Sequence, residues 1–320
     1  MTPLPNYLPL LDDNVMICGI ATILKESHEK SGLSCRQAGK LLGLSRDYYG
    51  KHLTRKRSCS IKFLKGFQKC IDVDIFDKIY ALDKLEFTAK SKAVALSKEL
   101  TPDLSYFVGY LQGDGCLTSD KKQIYFVDEY IEQIELINAL SQKLFGIRGH
   151  IFWYKSEIAL VPSPSLQIKS VVLNSFIHTV FGINRGEKTD LKIPGIIKPN
   201  KELLRDYLPG LFDSDGTLPK SPETARQLFI DVTMKDRCFI EEIKASLLSF
   251  GIETLKIYVR RKKSPSSEKI SSTHELRIRR KEILAKFLGE IGFRHPNKLV
   301  RAVKMGKLLK TSPVRFELTA

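Results

Sequence analysis

The sequence predicts an α+β protein in which one unit of about one hundred residues occurs twice, after a small all-helical N-terminal domain. Three observations support this prediction. Four sequence landmarks recur in one order, the first at an offset of about 101 residues, and short strand patterns lie between them. The N-terminal part instead has short helical patterns separated by tight turns. We therefore expect domains at 1–82, 101–200 and 201–310, a linker helix at 83–100 and a tail at 311–320.

The composition is that of a folded chain that binds a polyanion. Of the 320 residues, 42% are hydrophobic and 28% are charged, values close to those of ordinary globular proteins, which excludes a disordered chain. Lys and Arg number 52 against 36 Asp and Glu, which gives a net charge of +16. An excess of this size favours nucleic acid or an anionic membrane as the partner.

We expect the protein in a cytoplasmic compartment, the interior of a prokaryote, an archaeon or an organelle. The apolar run from Val15 to Leu24 is shorter than the ~20 residues of a membrane span. Acidic Asp12 and Asp13 precede it, whereas a signal peptide begins with basic residues. The six cysteines include no CxxC pair, so they fit neither a disulfide framework nor a zinc site. Nucleic acid, and not a membrane, is therefore the expected partner.

Residues 31–71 have the pattern of a helix-turn-helix. Ser34 and Ser45 stand where helix N-caps are expected, and Gly43 stands where the first helix should end. The pattern is similar to the helix-turn-helix of phage repressors, whose second helix enters the major groove. The alternative is a small helical bundle with a solvated basic face. The residues of the second helix that we expect on DNA are Arg46, Tyr48, Tyr49, Lys51 and Arg55.

The remainder of the chain repeats itself. The segment 104–115, LSYFVGYLQGDG, recurs at 204–216 as LRDYLPGLFDSDG, and both copies end in Asp-Gly. The later landmarks pair in the same order, Phe145–Ile147 with Phe250–Ile252 and Phe181–Ile183 with Ile291–Phe293. Between the landmarks lie short strand patterns. Each copy therefore predicts an αββαββα unit whose antiparallel sheet keeps one face free.

Both repeated segments contain small residues four positions apart, which are Gly109 and Gly113 in the first and Gly210 and Ser214 in the second. This spacing lets two helix backbones approach closely. Helices that cross there bring their C-terminal ends together, with Asp114 beside Asp215. Two adjacent carboxylates repel unless a divalent cation neutralises them, and hard oxygen ligands with room for water suit Mg²⁺. The metal ligands that we expect are Asp114, Asp215, Gly113 and Ser214.

The segments 107–115 and 208–216 resemble the two signature helices of the LAGLIDADG homing endonucleases, in the two-motif single-chain form. The resemblance covers about residues 101–310. It implies a pseudo-two-fold fold with antiparallel DNA-binding sheets, in a monomer that acts as a pseudodimer. The implied activity is Mg²⁺-dependent cleavage of double-stranded DNA at a long asymmetric target.

The resemblance also implies the roles of four residues. Lys188 and Lys298 each follow a landmark glycine by six positions, and they match basic positions of the family near the scissile phosphates. A lysine there can stabilise the transition state or position the attacking water. The catalytic residues implied are Asp114, Asp215, Lys188 and Lys298.

A basic hairpin at 256–281 adds to the expected DNA surface. Sheet faces in the resembled family line the major groove, where only alternate residues of a strand face the DNA. The hairpin of the first repeat is less basic, which fits a non-palindromic target. The alternative is a charged solvent edge that discourages aggregation. The residues of the two repeats that we expect on DNA are Lys121, Lys122, Lys256, Arg260, Arg261, Lys262, Lys263, Arg277 and Arg279.

Other functions stay open at this stage. Gln112 occupies a position where the family more often has an acid, and its counterpart in the second repeat is Asp213. One alternative is a catalytically inactive, DNA-binding transcription regulator. Another is an RNA maturase that assists splicing by binding intron RNA. The chain starts with Met and has no terminal His-Asn, so we expect a free-standing, intron-encoded protein and not an intein.

Overall fold

The computed structural model describes residues 2–54, 58–89, 93–155, 161–263, 270–311 and 314–316. Its helices are α1 (Ala21–Lys30), α2 (Cys35–Leu41), α3 (Arg46–Thr54), α4 (Ile61–Ile71), α5 (Ile75–Tyr80), α6 (Pro102–Asp114), α7 (Ile131–Phe145), α8 (Val171–Phe181), α9 (Lys201–Ser214), α10 (Arg237–Ser249), α11 (Lys281–Glu290) and α12 (Pro296–Leu309). Its strands are β1 (Thr2–Pro3), β2 (Met16–Ile17), β3 (Cys59–Ser60), β4 (Glu86–Thr88), β5 (Val94–Ala95), β6 (Glu99–Leu100), β7 (Gly115–Leu117), β8 (Gln123–Val127), β9 (His150–Tyr154), β10 (Ser163–Lys169), β11 (Gly216–Thr217), β12 (Ile230–Met234), β13 (Tyr258–Lys263) and β14 (Ile270–Ile278).

The two repeats have the same order of elements and the same sheet topology. In the first, α6 to α8 flank a four-stranded antiparallel sheet with the order β7-β8-β10-β9. In the second, α9 to α11 flank the equivalent sheet, with the order β11-β12-β14-β13. The predicted α+β class and the αββαββα order of each repeat are therefore confirmed.

Local sequence signals fix the ends of the repeated helices. The Thr101 hydroxyl caps the start of α6 by accepting from the Leu104 N–H, and the Asn200 side chain caps α9. Gly146 and Gly182 end α7 and α8 with φ values of +71° and +67°, a left-handed conformation in which other residues are strained. None of the described helices has the length and apolar character needed to cross a membrane.

The prediction of an all-helical N-terminal domain is wrong. Strands β2 to β5 form a four-stranded antiparallel sheet in the order β3-β2-β4-β5, beside the five helices α1 to α5. The linker helix predicted at 83–100 is also wrong, because β4 and β5 of this sheet lie within that range. Phe87 and its partner Val94 are fully buried, and this pairing closes the core of the N-terminal part.

The N-terminal part is anchored on the first repeat. Strand β1 pairs with β6 at the entrance to α6, and the Tyr7 ring packs edge-on against Phe176 of α8, with 5.1 Å between ring centroids. The Arg185 guanidinium binds the Asp12 carboxylate at 2.5 Å, and the neighbouring Asp13 binds Lys65 of α4 at 2.8 Å. Adjacent carboxylates thus tie the first repeat to the helices of the N-terminal part.

Candidate active site

Helices α6 and α9 cross at very short distance, and glycines make the contact possible. A Cβ atom on Gly109 would lie 2.2 Å from the Tyr207 carbonyl oxygen, and one on Gly210 would lie 2.2 Å from the Tyr106 carbonyl oxygen. A Cβ on Gly113 would overlap the Ser214 side chain. The four small residues that the sequence analysis assigned to a helix interface therefore lie in one.

Two buried hydrogen bonds across the helix crossing reproduce the pseudo-symmetry. The Tyr106 hydroxyl of α6 donates to the Asp213 carboxylate of α9 at 2.8 Å, and the Tyr207 hydroxyl of α9 donates to the Gln112 amide oxygen at 2.6 Å. Gln112 and Asp213, the pair at which the repeats depart from one another, thus occupy equivalent places.

The backbone groups next to these two side chains explain why one is an amide and the other an acid: Gln112 faces a carbonyl acceptor and Asp213 faces N–H donors. Gln112 uses its amide nitrogen to donate to the Lys192 carbonyl at 2.7 Å. Asp213 accepts from the backbone N–H groups of Arg294 and His295 at 2.9 and 2.8 Å. Its other oxygen, Oδ1, is buried without a hydrogen-bond partner, and burial raises the pKa of this carboxyl. Gln112 therefore supports the crossing without being a metal ligand.

Asp114 and Asp215 lie together at the C-terminal ends of the crossed helices. Burial, followed by the negative charge of Asp215, raises the pKa of Asp114 to about 7. Burial also raises the pKa of Asp215, against the opposing charges of Lys188 and Lys298. A positively charged ligand between these two carboxyls would favour their ionised forms, because it offsets both burial and their mutual repulsion.

The two lysines hold the C-terminal ends of the helices. The Lys188 ammonium donates to the carbonyl oxygens of Gln112, at 3.1 Å, and of Gly113. The Lys298 ammonium donates to the carbonyls of Asp213 at 2.6 Å and Gly216 at 2.7 Å, and also to those of Phe212 and Ser214, each at 3.1 Å. Positive charges there also complement the negative ends of the helix dipoles.

The charges form two crossed pairs. Lys298 acts more strongly on Asp114 than Lys188 does, and Lys188 acts more strongly on Asp215 than Lys298 does. Each carboxylate thus has its main counter-charge in the other repeat. Burial lowers the pKa of both ammonium groups, against the neighbouring carboxylates.

The donor set fits a hard divalent cation. Asp114 and Asp215 supply carboxylate oxygens, whereas the carbonyls of Gly113 and Ser214 accept from lysine ammonium groups. Within the described part of the chain, no group of three or more His, Cys, Asp or Glu side chains forms a metal site. A cation held by the two carboxylates would therefore take further oxygens from water or phosphate, as Mg²⁺ commonly does.

A cleft of about 440 Å³ opens beside Asp114 and contains residues that sequence reasoning missed. Asp128 accepts from the Tyr110 hydroxyl at 2.6 Å and from the Tyr130 N–H at 2.8 Å, and His295 Nε2 lies 3.4 Å from it. No sequence signal links Asp128 to His295, because one follows a strand of the first repeat and the other follows a helix of the second.

The free face of the second-repeat sheet carries a network of charges. By strand register, Asp231, Arg277, Glu275 and Arg260 lie on one face. Arg277 binds Asp231 at 2.7 Å and Glu275 at 2.9 Å, and Arg260 also binds Glu275. Arg277 therefore links β12 and β14 through ion pairs, in addition to placing a positive charge on this face. Arg261 lies on the opposite face from Arg260.

The other basic residues expected on DNA are exposed or lie outside the described side chains. Lys256 is exposed and lies over the Tyr258 ring at 5.7 Å, and Arg279 is exposed just beyond β14. Lys121 and Lys122 occupy an exposed turn, where they face Asp12 and Asp120 at 3.8 and 3.6 Å. The remaining two, Lys262 and Lys263, belong to β13, but their side chains lie outside the description.

Helices α2 and α3 are joined by a tight turn at Gly43, whose φ is +67°. Ser34 and Gln37 form a capping box on α2, and Ser45 accepts from the Tyr48 N–H at the start of α3. Of the residues predicted on DNA, Arg46, Tyr48 and Lys51 are exposed on the surface. A concavity at the turn is lined by Arg36, Lys40 and Arg46.

One residue predicted on the second helix does not join that surface, and another lies outside the described residues. The expectation that Tyr49 faces DNA is wrong, because its ring is fully buried and its hydroxyl lies 3.0 Å from His28 Nδ1. Tyr49 and Leu53, one turn apart, form the inward face of α3. Arg55 lies outside the described residues.

Residues 202–292 match the family model of the LAGLIDADG-like domain. The second repeat is a LAGLIDADG-like domain. The matched range contains the second signature helix and the second-repeat sheet, which share their topology with the first repeat. The resemblance inferred from the two Asp-Gly signature segments is therefore confirmed.

Several known proteins resemble this chain. It is 30% identical over 281 residues to the glutamine–fructose-6-phosphate aminotransferase of Methanocaldococcus jannaschii, covering 86% of this chain and 24% of the relative. It is 31% identical over 196 residues to the ribonucleoside-diphosphate reductase NrdEB subunit alpha of Bacillus subtilis, covering 57% of this chain and 17% of the relative. The chain thus spans a quarter or less of the length of these relatives.

Two of the solved structures that align with part of this chain are a homing endonuclease and a DUF199/WhiA protein. Mesophilic variants of the homing endonuclease I-DmoI align with a TM-score of 0.42 and 15% identity, covering 63% of this chain and 98% of theirs. The full-length DUF199/WhiA protein of Thermatoga maritima aligns with a TM-score of 0.42 and 16% identity, covering 63% of this chain and 60% of its own.

Proposed function

We propose that this protein is a Mg²⁺-dependent, site-specific endonuclease that cuts double-stranded DNA at a long asymmetric target. The observation that carries the proposal is the pair Asp114 and Asp215, held together although their charges repel. A protein that only bound DNA would gain stability by replacing either carboxylate with a neutral side chain. Retention of both, in a partly buried position, favours a catalytic site.

Each residue of the site has a separate task in this proposal. Asp114 and Asp215 would hold the cation, and Lys188 and Lys298 keep the helix ends in position through hydrogen bonds to their carbonyls. When bound, a divalent cation neutralises phosphate charge and lowers the pKa of a bound water. The cleft beside Asp114 offers room for the phosphate and the water.

The DNA would lie along the free faces of the two sheets. The second-repeat face is charged, with Arg260 and Arg277 beside carboxylates. The first-repeat face carries Gln123 and Tyr125, whose side chains bind each other at 2.8 Å, and one lysine, Lys169, opposite Gln123. Unlike faces suit unlike half-sites, so a monomer acting as a pseudodimer would read a non-palindromic target. The α2–α3 unit would add contacts on one flank.

A DNA-binding transcription regulator is the second candidate, and the α2–α3 unit favours it. The exposed Arg36, Lys40 and Arg46 at its turn suit DNA phosphates, and binding there needs no cleavage. The two candidates differ in what the carboxylates do. The regulator requires neither Asp114 nor Asp215.

A cleavage selection separates the candidates. The full chain is incubated with Mg²⁺ and a randomised double-stranded DNA library, and newly formed ends are captured and sequenced. We expect one long asymmetric site, cut by the wild type and by the exposed-residue control Glu282→Gln. Asp114→Asn and Asp215→Asn should each abolish cleavage and keep DNA affinity within a few-fold. Library binding without cleavage would favour the regulator, and equal cleavage by the double Asn variant would refute the nuclease.

A further inference from the structure

The two crossed carboxylate–lysine pairs are not equivalent, because a third carboxylate lies beside only one of them. Asp128 lines the same cleft as Asp114 and Lys298. It acts on Asp114 more strongly than either lysine does. The groups that act on Asp215, in contrast, are Lys188, Lys298 and the hydroxyl of Ser214.

Strand register identifies the residue that replaces Asp128 in the second repeat. The glycine that ends each signature segment pairs with the middle of the next strand, Gly115 with Phe126 and Gly216 with Val232. Two residues further along stand Asp128 in the first repeat and Met234 in the second. Met234 is buried and uncharged. The pseudo-two-fold operation therefore maps a carboxylate onto an apolar side chain.

The negative charge of Asp128 is fixed in place. Burial favours its neutral form, but hydrogen bonds from His295 and Tyr110 outweigh this and hold the pKa of Asp128 below its usual range. His295 Nε2 lies 3.4 Å from the Asp128 carboxylate, and its Nδ1 accepts from the Asn297 N–H at 3.2 Å. The cleft also contains Lys298, whose ammonium interacts with the Asp128 charge, and Arg301, whose guanidinium donates to the Tyr130 hydroxyl at 2.9 Å.

We propose that Asp128 is a positioning residue that makes the two cleavage sites unequal. Its charge strengthens divalent-cation binding on the Asp114 side, and the DNA strand on that side is cut first. This inference rests on the proposed nuclease function. Asp128 acts through the electric field at Asp114 and not as a ligand, in keeping with the absence of a three-carboxylate metal site among the described residues.

The first test measures cation binding by the full chain without DNA, using Mn²⁺ alone as the probe and the electron paramagnetic resonance signal of the free ion as the readout. We expect Asp128→Asn to weaken the tighter Mn²⁺ site about tenfold. The matched control Glu132→Gln removes one exposed negative charge from the first turn of α7 and should change Mn²⁺ affinity less than twofold. Tyr110→Phe removes a donor to Asp128 but keeps its charge, so Mn²⁺ affinity should again change less than twofold.

The second test follows each DNA strand separately, on the duplex recovered in the cleavage selection. The wild type should nick one strand several-fold faster than the other. Asp128→Asn should slow that first nick about tenfold and leave the second strand within twofold. Unchanged strand order and unchanged Mn²⁺ affinity in Asp128→Asn would overturn the inference. Equal losses in Asp128→Asn and Tyr110→Phe would overturn it too, because the effect would then be structural.

Failure of the nuclease proposal is distinguishable from failure of this inference. If the wild type cuts no duplex, the nuclease proposal fails. The Mn²⁺ titration still decides whether Asp128 strengthens the cation site. If the wild type cuts both strands at rates that Asp128→Asn does not alter, the nuclease stands and the role of Asp128 is refuted.

Discussion

The close crossing of α6 and α9 predicts a large penalty for adding one methyl group at Gly109. A Cβ there would lie 2.2 Å from the Tyr207 carbonyl oxygen, which is backbone and has no rotamer that moves it away. Ordinary carbon–oxygen contacts are ~1 Å longer, so the helices must separate by a comparable amount. Such overpacking costs ~1–3 kcal/mol.

Separation of the helices also strains the two buried hydrogen bonds across the crossing, Tyr106 to Asp213 and Tyr207 to Gln112. Each contributes ~1 kcal/mol. We therefore expect Gly109→Ala to lower the free energy of unfolding by ~3–5 kcal/mol. For a chain of this size the loss corresponds to a fall in Tm of roughly 10 °C, measured by circular dichroism.

Gly289→Ala is the matched control. Gly289 lies in the last turns of α11, where an added Cβ meets no atom within 4 Å. The same substitution there should raise stability by ~0.5–1 kcal/mol, because alanine loses less entropy in a helix. The two variants should thus shift Tm in opposite directions. A Gly109→Ala protein as stable as the wild type would refute the close-contact account of the signature helices.

Three further predictions follow from charges. The raised pKa of Asp114, about 7, means that its ionisation destabilises the metal-free fold increasingly from about pH 4 to pH 7. Asp114→Asn should therefore gain Tm over the wild type at pH 8 but not at pH 4, both in EDTA. Arg277→Ala leaves the buried Asp231 carboxylate without its ion-pair partner and should lower stability by ~3 kcal/mol in urea melts, whereas Arg279→Ala should weaken only DNA binding. Arg46→Ala with Lys51→Ala should reduce the slope of log affinity against log salt by ~2 and leave Tm unchanged, and an unaltered slope would exclude phosphate contacts.

The repeats and the paired carboxylates were predictable because their signals are local and doubled. The small residues around Gly109 and Gly210 indicate from the sequence alone that two helix backbones approach closely. The Asp-Gly endings recur at the same place in both segments. Each lysine likewise stands at the same distance from its landmark glycine. Because the domain is duplicated, each pattern can be checked in the second repeat, and the same spacing rarely occurs in both repeats by chance.

What sequence reasoning missed depends on long-range partners. Asp128 could not be recognised as a site residue from the sequence, because its neighbour His295 belongs to the other repeat. The strands in the 83–100 range are two or three residues long, too short for an alternating pattern, and the lysines around them favoured a helix. Tyr49 was assigned to the DNA face because it neighbours basic residues, but its burial follows from the packing of α3 against other helices.

The paired anchors Asp12 and Asp13 have a consequence for the geometry of any DNA that both parts of the chain grip. Asp12 binds Arg185 and Asp13 binds Lys65 of α4, so these ion pairs would help to hold the N-terminal part in one position on the first repeat. The number of base pairs between the DNA contacts of the α2–α3 unit and the cleavage site would then be fixed. Five base pairs inserted between that contact and the cleavage site would rotate the contacted DNA to the opposite side of the duplex, since a helical turn is ~10.5 base pairs. Spacing, as much as sequence, would define the target.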